Sequence, residues 1–138
     1  MESISELIGK ARAAQAEFEK TATQESVDAI VKAIAKVIYD NADPLAKMAA
    51  EESGMGVYED KINKNKGKAR VIWNFLKDKK SVGVINRDEK TCITEVARPM
   101  GVIAAITPCT NPIVTPMCNA MYAIKGRNAI IIAPHPRA

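Results

Sequence analysis

Two uninterrupted apolar runs, residues 101–107 (Gly-Val-Ile-Ala-Ala-Ile-Thr) and 129–133 (Ala-Ile-Ile-Ile-Ala), constrain this chain more than any other feature. Neither alternates polar and apolar residues as a half-exposed strand does, so both are expected to be strands buried on both faces, as in a parallel sheet. Between them Met117, Met121 and Ile124 share one helical face, and Gly126 closes the helix. The order strand, helix, strand predicts a right-handed βαβ unit. Pro116 fits the first turn of that helix, because in its interior the ring would cost about 3 kcal/mol. Residues 108–114 are then mostly loop.

The first eighty residues carry helical periodicity instead. Ser3 and Glu6 form a capping-box pattern ahead of Ile4, Leu7, Ile8, Ala11, Ala14 and Phe18 on one face. A second pattern, Thr21 with Gln24, opens a stretch in which Val27, Ile30, Ile34, Val37 and Ile38 recur at helical spacing, ending near Asp40-Asn41. Asp43-Pro44 predicts an N-cap followed by a first-turn proline, and Gly54 a left-handed exit. From Tyr58 a longer polar helix turns Ile62, Ala69, Ile72, Trp73 and Leu76 inward, with Gly67 weakening its middle. Residues 81–86 and 91–97 flank Arg87-Asp88-Glu89-Lys90 and read as a β-hairpin. Only two parallel runs precede Arg137-Ala138, whereas parallel sheets normally have several strands, so a fragment is expected.

At 138 residues, 47% hydrophobic and 26% charged, the chain has the composition of one globular domain. A chain of that size buries roughly 68% of its unfolded surface without needing a disulfide or metal staple. Three cysteines with no C-x-x-C pair, and a Met1-Glu2-Ser3 start without a basic then apolar leader, argue against a secreted disulfide scaffold and favour the cytoplasm. No apolar run approaches the roughly 18 residues of a membrane helix, and no metal is expected as a cofactor. The net charge of +4 is concentrated at Lys61, Lys64, Lys66, Lys68 and Arg70. That run raises a nucleic-acid module as an alternative of another class. Trp73 and Phe75 follow the cations instead of interleaving with them, which favours a solvated helix face.

In open parallel sheets ligands bind beyond the carboxyl ends of the strands. That rule selects Thr107-Pro108-Cys109-Thr110-Asn111-Pro112 and its counterpart Pro134-His135-Pro136-Arg137. Neither contains G-x-G-x-x-G, so an ordinary Rossmann pyrophosphate cradle is not supported. Cys109, in a loop before a helix, is a candidate nucleophile with His135 as its base. Cys92 and Cys118 fall in strand and helix patterns and read as small buried hydrophobes. Lys125 and Arg127 read as complements to the helix dipole, and Asn111 before a proline also suits a helix N-cap.

Residues 99–138, PMGVIAAITPCTNPIVTPMCNAMYAIKGRNAIIIAPHPRA, carry T-P-x-T-N-P, K-x-R-N and P-H-P-R in order. As a set they resemble the start of the cofactor domain of CoA-acylating aldehyde dehydrogenases, and the upstream segments KARAAQ, EESGMGVYEDK and DKKSVGVI fit the same family. TPMCNAMYAIKGRN is most similar to the branch acting on short anionic aldehydes, succinate semialdehyde first and sulfoacetaldehyde next, with acetaldehyde a further alternative. The resemblance implies an α/β fold: N-terminal helices of the cofactor-binding domain over 1–80, a β-hairpin oligomerisation arm over 81–98, and the first, truncated βαβ unit of a Rossmann-like domain over 99–138. It also implies that aldehyde, CoA and NAD or NADP react reversibly to acyl-CoA and NAD(P)H through a cysteine thioester. That nucleophile lies beyond this chain in the family, so the fragment is expected to be inactive alone.

By the same resemblance Asn111 stabilises the oxyanion. The wider superfamily pattern Pro-x-Asn-x-Pro instead puts Thr110 in the asparagine's register, so either residue could face it. Thr107, Pro108, Cys109 and Thr110 are expected to line the nicotinamide and ribose side of the dinucleotide. Pro134, His135 and Arg137 follow the second strand near the family's adenosine-ribose contact, where the usual lysine is replaced, and Arg137 could instead pair with a phosphate of NADP or CoA. The expected partners are a small aldehyde, CoA and further copies of the chain; no membrane is expected.

Overall fold

A computed structural model describes residues 3–137; Met1, Glu2 and Ala138, the extremes of the first and last predicted segments, lie outside the described residues. Four helices come first: α1 (Ile4–Thr21), α2 (Gln24–Asp40), α3 (Ala42–Ser53) and α4 (Tyr58–Leu76). The chain continues through β1 (Val84–Asp88), β2 (Ile93–Val96), β3 (Val102–Ile106), α5 (Val114–Lys125) and β4 (Ala129–Ala133).

α1 opens with the expected capping box, in which Ser3 and Glu6 exchange bonds between side chain and backbone. Its apolar face is covered less than the periodicity predicts. Ile4 is 78% exposed and Leu7 is exposed, whereas Ile8, Ala11 and Phe18 are half-buried. The cap of α2 is Thr23 with Ser26, not Thr21 with Gln24. Thr21 still belongs to α1 and donates its hydroxyl to the Glu17 carbonyl. Gln24 is thereby released from capping, and its Oε1 accepts from the Ser81 and Val82 N–H groups at 2.8 and 3.2 Å, anchoring the approach to the hairpin.

The buried stripe of α2 is Val27, Val31 and Ala35, rotated from the predicted set, so Ile30 and Val37 are exposed. These residues pack against Ala69 and Leu76 of α4 and Met117 and Met121 of α5 as one core. α3 starts one residue before the predicted cap. Asn41 ends α2 with its side-chain amide on the Val37 carbonyl, Ala42 begins α3, and Pro44 falls third in the helix, where no donor is missed. Gly54 exits at φ +61° as expected. α4 runs unbroken through Gly67, held to the rest by Ala69, Leu76 and the buried Asn65, which donates to the Ala42 carbonyl at 3.1 Å.

β1 and β2 pair antiparallel with a bulge between Val84 and Asn86. The turn lies later than predicted: β1 begins only at Val84, since the Ser81 and Val82 N–H groups are held by Gln24, and runs on to Asp88, which accepts from the Lys90 and Thr91 N–H groups, while Cys92 at φ 55° delays β2 to Ile93. Cys92 is therefore an exposed turn residue, not a buried strand hydrophobe. The ribbon packs on no other helix or strand among the described residues.

β3 and β4 pair parallel in register from Val102 with Ala129 to Ile106 with Ala133. α5 and α1 both pack on them. Burial on both faces is not observed. Ile106 is 86% exposed and Ala104, Ile132 and Ala133 are exposed, because α1 and α5, the elements that pack on the pair among the described residues, leave those positions uncovered. Pro116 lies in the first turn of α5, as expected. No helix of the described chain is long and apolar enough to cross a membrane.

Candidate active site

The βαβ unit has two ends of different character. At the amino ends of the strands, Gly126 closes α5 and Arg127 turns the chain at φ 58°. Asn128 then accepts from the Met100 and Gly101 N–H groups at 2.6 and 2.9 Å and donates to the Ala123 and Gly126 carbonyls at 3.3 Å. A Cβ on Gly126 would lie 2.8 Å from the Asn128 amide nitrogen, so that position requires glycine. Arg127 donates to the Ala97 carbonyl at 2.9 Å and the Glu19 carbonyl at 3.5 Å, tying the hairpin exit to α1.

Lys125 is buried and ion-pairs with Asp28 of α2. The K-x-R-N motif is therefore a set of interior cross-links. Lys125 lies in the last turn of α5, where a cation suits the helix dipole as expected, but its ammonium is committed to Asp28 and the Arg127 guanidinium to the Ala97 and Glu19 carbonyls.

At the carboxyl ends the rim is open. The Thr107 N–H and hydroxyl both donate to the Ala133 carbonyl, at 3.0 and 3.4 Å, joining the two strand exits. Cys109, 8% exposed, meets Arg137 across this junction, with Nη2 to Sγ at 3.8 Å, and also lies 3.9 Å from the Met55 sulfur. Pro108, Thr110, Pro134 and Arg137 are exposed, and His135 is half-buried. The predicted rim residues are thus brought together. No hydrogen bond joins His135 to Cys109; the imidazole Nδ1 instead accepts from the Arg137 N–H at 3.1 Å. In α5, burial pushes the half-buried Cys118 thiol above its ordinary pKa, partly offset by Lys68.

Asn111 makes no side-chain cap. Its carbonyl accepts from the Thr115 N–H at 3.2 Å, and the N-cap of α5 is Ile113. The side-chain oxygen instead accepts from Lys64 Nζ at 2.9 Å, while its Nδ2 lies 3.4 Å from the Thr110 hydroxyl. Both residues border a cavity of about 310 Å³ lined also by Met55, Gly56, Asp60 and Lys61.

In the sequence, Lys61 and Lys64 stand out only as part of a cationic run. The signal that distinguishes them is helical spacing. Lys61, Lys64 and Lys68 lie on one side of α4, whereas Lys66 and Arg70 point elsewhere, Lys66 toward the Tyr39 ring and Arg70 into a cleft with Trp73. The run is divided between faces and does not form one phosphate-tracking stripe.

Comparison with known proteins agrees with this layout. The model of the aldehyde dehydrogenase family matches residues 1–138. The succinate-semialdehyde dehydrogenase (acetylating) of Clostridium kluyveri is 59% identical over 99% of the chain and 30% of its own length. The sulfoacetaldehyde dehydrogenase (acylating) of Bilophila wadsworthia is 44% identical over 100% of the chain and 30% of its own. The crystal structure of an acetylating aldehyde dehydrogenase from Geobacillus thermoglucosidasius superimposes with a TM-score of 0.90 at 44% identity, covering 95% of the chain and 29% of that protein. The chain thus spans about 30% of the length of these two curated relatives. A parallel βαβ unit with an open T-P-x-T-N-P rim, matched in sequence and in shape over nearly every residue, establishes that this chain belongs to the aldehyde dehydrogenase family.

Proposed function

We propose that this chain is the N-terminal part of a CoA-acylating aldehyde dehydrogenase that converts a short aldehyde, succinate semialdehyde first among the candidates, with CoA and NAD(P)+ to the acyl-CoA and NAD(P)H. The cysteine that carries the acyl group lies outside residues 1–138 in this reading. The observation that carries it is the amide of Asn111 at the open end of β3. Its oxygen accepts from Lys64 and one N–H reaches the Thr110 hydroxyl at 3.4 Å, so its second N–H is the donor available to a ligand. A carbonyl oxygen gaining charge at that rim receives a donor already in place, a contribution of about 3 kcal/mol in comparable sites.

The rim fits a dinucleotide by its donor set. Exposed Thr110 and Arg137 offer O–H and N–H groups, beside the exposed rings of Pro108 and Pro134. Thr107, Pro108, Cys109, Thr110, Pro134, His135 and Arg137 would hold it, and when bound it supplies the hydride acceptor. Thr107 contributes mainly by locking the two strand exits together. The guanidinium of Arg137 suits a phosphate.

The ends of the 81–98 segment are tied down through Val82 and Ala97, but its paired strands β1 and β2 pack on no other element among the described residues and leave Val84, Ile93 and Val96 exposed, which supports an arm that pairs with another subunit in a homo-oligomer. Three free cysteines suit the cytoplasm.

The test is NAD(P)H formation by the full-length protein. Activity should require aldehyde and CoA, and Asn111→Ala should lower kcat about 100-fold while dinucleotide affinity changes little. Normal turnover in that variant removes Asn111 from the reacting centre.

A further inference from the structure

The cavity beside Asn111 has cations that the reaction itself does not require. Lys61 and Lys64 stand three residues apart on the same side of α4, and both line the space between the Met55-Gly56-Val57 turn and the Thr110-Asn111 loop. No ion pair joins either lysine to a carboxylate among the described residues, although Asp60 lines the same cavity. Lys64 uses one of its three ammonium hydrogens on Asn111 Oδ1 at 2.9 Å and retains two. Gly56, at φ +77°, brings its backbone close to Lys61. A Cβ there would come within 3.3 Å of the Lys61 side chain, so the turn leaves room for that lysine to lie along it. Two ammonium groups against one carboxylate give the cavity a net positive character, next to the amide assigned to the carbonyl.

We propose that Lys61 and Lys64 read the anionic group of the aldehyde substrate, a carboxylate or sulfonate a few carbons from the carbonyl. The inference deepens the proposed function and rests on it: Asn111 takes the carbonyl end, and the two lysines take the charged end of the same molecule. Charge-assisted hydrogen bonds of this kind favour an anionic aldehyde over an uncharged one of equal length. Lys64 serves both halves of the site, because the bond that orients the Asn111 amide also keeps its ammonium at the cavity.

The experiment compares kcat/KM for succinate semialdehyde and for butanal in the full-length enzyme. In Lys61→Gln, and more strongly in Lys61→Gln with Lys64→Gln, the preference for the anionic aldehyde should fall at least 10-fold. Lys64→Arg should retain most of it. Asp60→Asn, which removes the opposing charge, should raise it. Titration calorimetry with succinate, an unreactive carboxylate, reads the same site without turnover and should show binding weakened at least 10-fold by the double substitution.

An unchanged preference overturns the proposal, whether or not both activities fall together. So does a rise in KM confined to CoA or NAD(P), which would assign the lysines to a phosphate. Absence of NAD(P)H formation with every aldehyde would instead sink the proposed function, leaving the succinate titration to decide whether the lysines bind a carboxylate.

Discussion

The two ends of the β3 and β4 pair are built from similar polar residues put to opposite uses. At the amino ends, Lys125, Arg127 and Asn128 are buried, and apart from the Arg127 Nε their polar groups reach Asp28, the Glu19 and Ala97 carbonyls, and the Met100 and Gly101 N–H groups. At the carboxyl ends, Lys64, Asn111 and Arg137 keep hydrogen-bonding capacity toward a cavity or solvent. A buried polar group must find its partners within the protein, which fixes geometry and makes removal of either partner costly. A rim group with donors to spare contributes less to stability and more to a ligand. The difference separates a scaffold from a site within one βαβ unit.

That contrast makes graded predictions. Lys125→Met should have the largest effect, about 3 kcal/mol in urea unfolding, because it leaves the half-buried Asp28 carboxylate with Gln24 but without its cation at the α2–α5 contact. A loss under 1 kcal/mol would mean that the buried pair contributes no more than a surface one. Asn128→Ala should cost about 2–3 kcal/mol by orphaning the Met100 and Gly101 N–H groups, and hydrogen exchange should quicken at those two amides. Asn111→Ala, at the opposite end, should shift stability by less than about 0.5 kcal/mol while abolishing most turnover. If it destabilised the fold as much as Asn128→Ala, the division between the two ends would fail.

The smallest effect concerns the thiols. Exposed Cys92 should alkylate first, and buried Cys109 should be protected. Cys118 should need higher pH than an ordinary thiol to reach full reactivity, because burial raises its pKa and thins its thiolate at any given pH below it. Mass mapping of alkylation between pH 7 and 9 checks the order; equal rates at all three would contradict it.

Element type was largely legible in the sequence, and helix boundaries and burial less so. Gly54, Gly126 and the Ser3-Glu6 box marked ends that the structure keeps, because each acts on its own turn. The S/T-x-x-E/Q pattern selected Thr21 with Gln24, because Ser26 three residues after Thr23 does not fit it. The structure places the cap at Thr23 while Gln24 holds the Ser81 and Val82 amides. The apolar runs revealed parallel strands correctly, but their exposure depends on neighbours that periodicity does not reveal. Within the site, T-P-x-T-N-P identified the rim. Lys61 and Lys64 were hidden in a cationic run, since charge density does not say which lysines of a helix face a loop nearly fifty residues downstream.

The sequence by itself determined the order of helices, the hairpin, the parallel crossover and the loop that carries Asn111, because each depends on contacts a few residues apart or on a run of one residue type. Only the tertiary structure decided that Lys125, Arg127 and Asn128 lie inside and that Lys61 and Lys64 border a cavity. Those fates turn on which elements pack together, through pairs such as Lys125 with Asp28 and Lys64 with Asn111 that are distant along the chain.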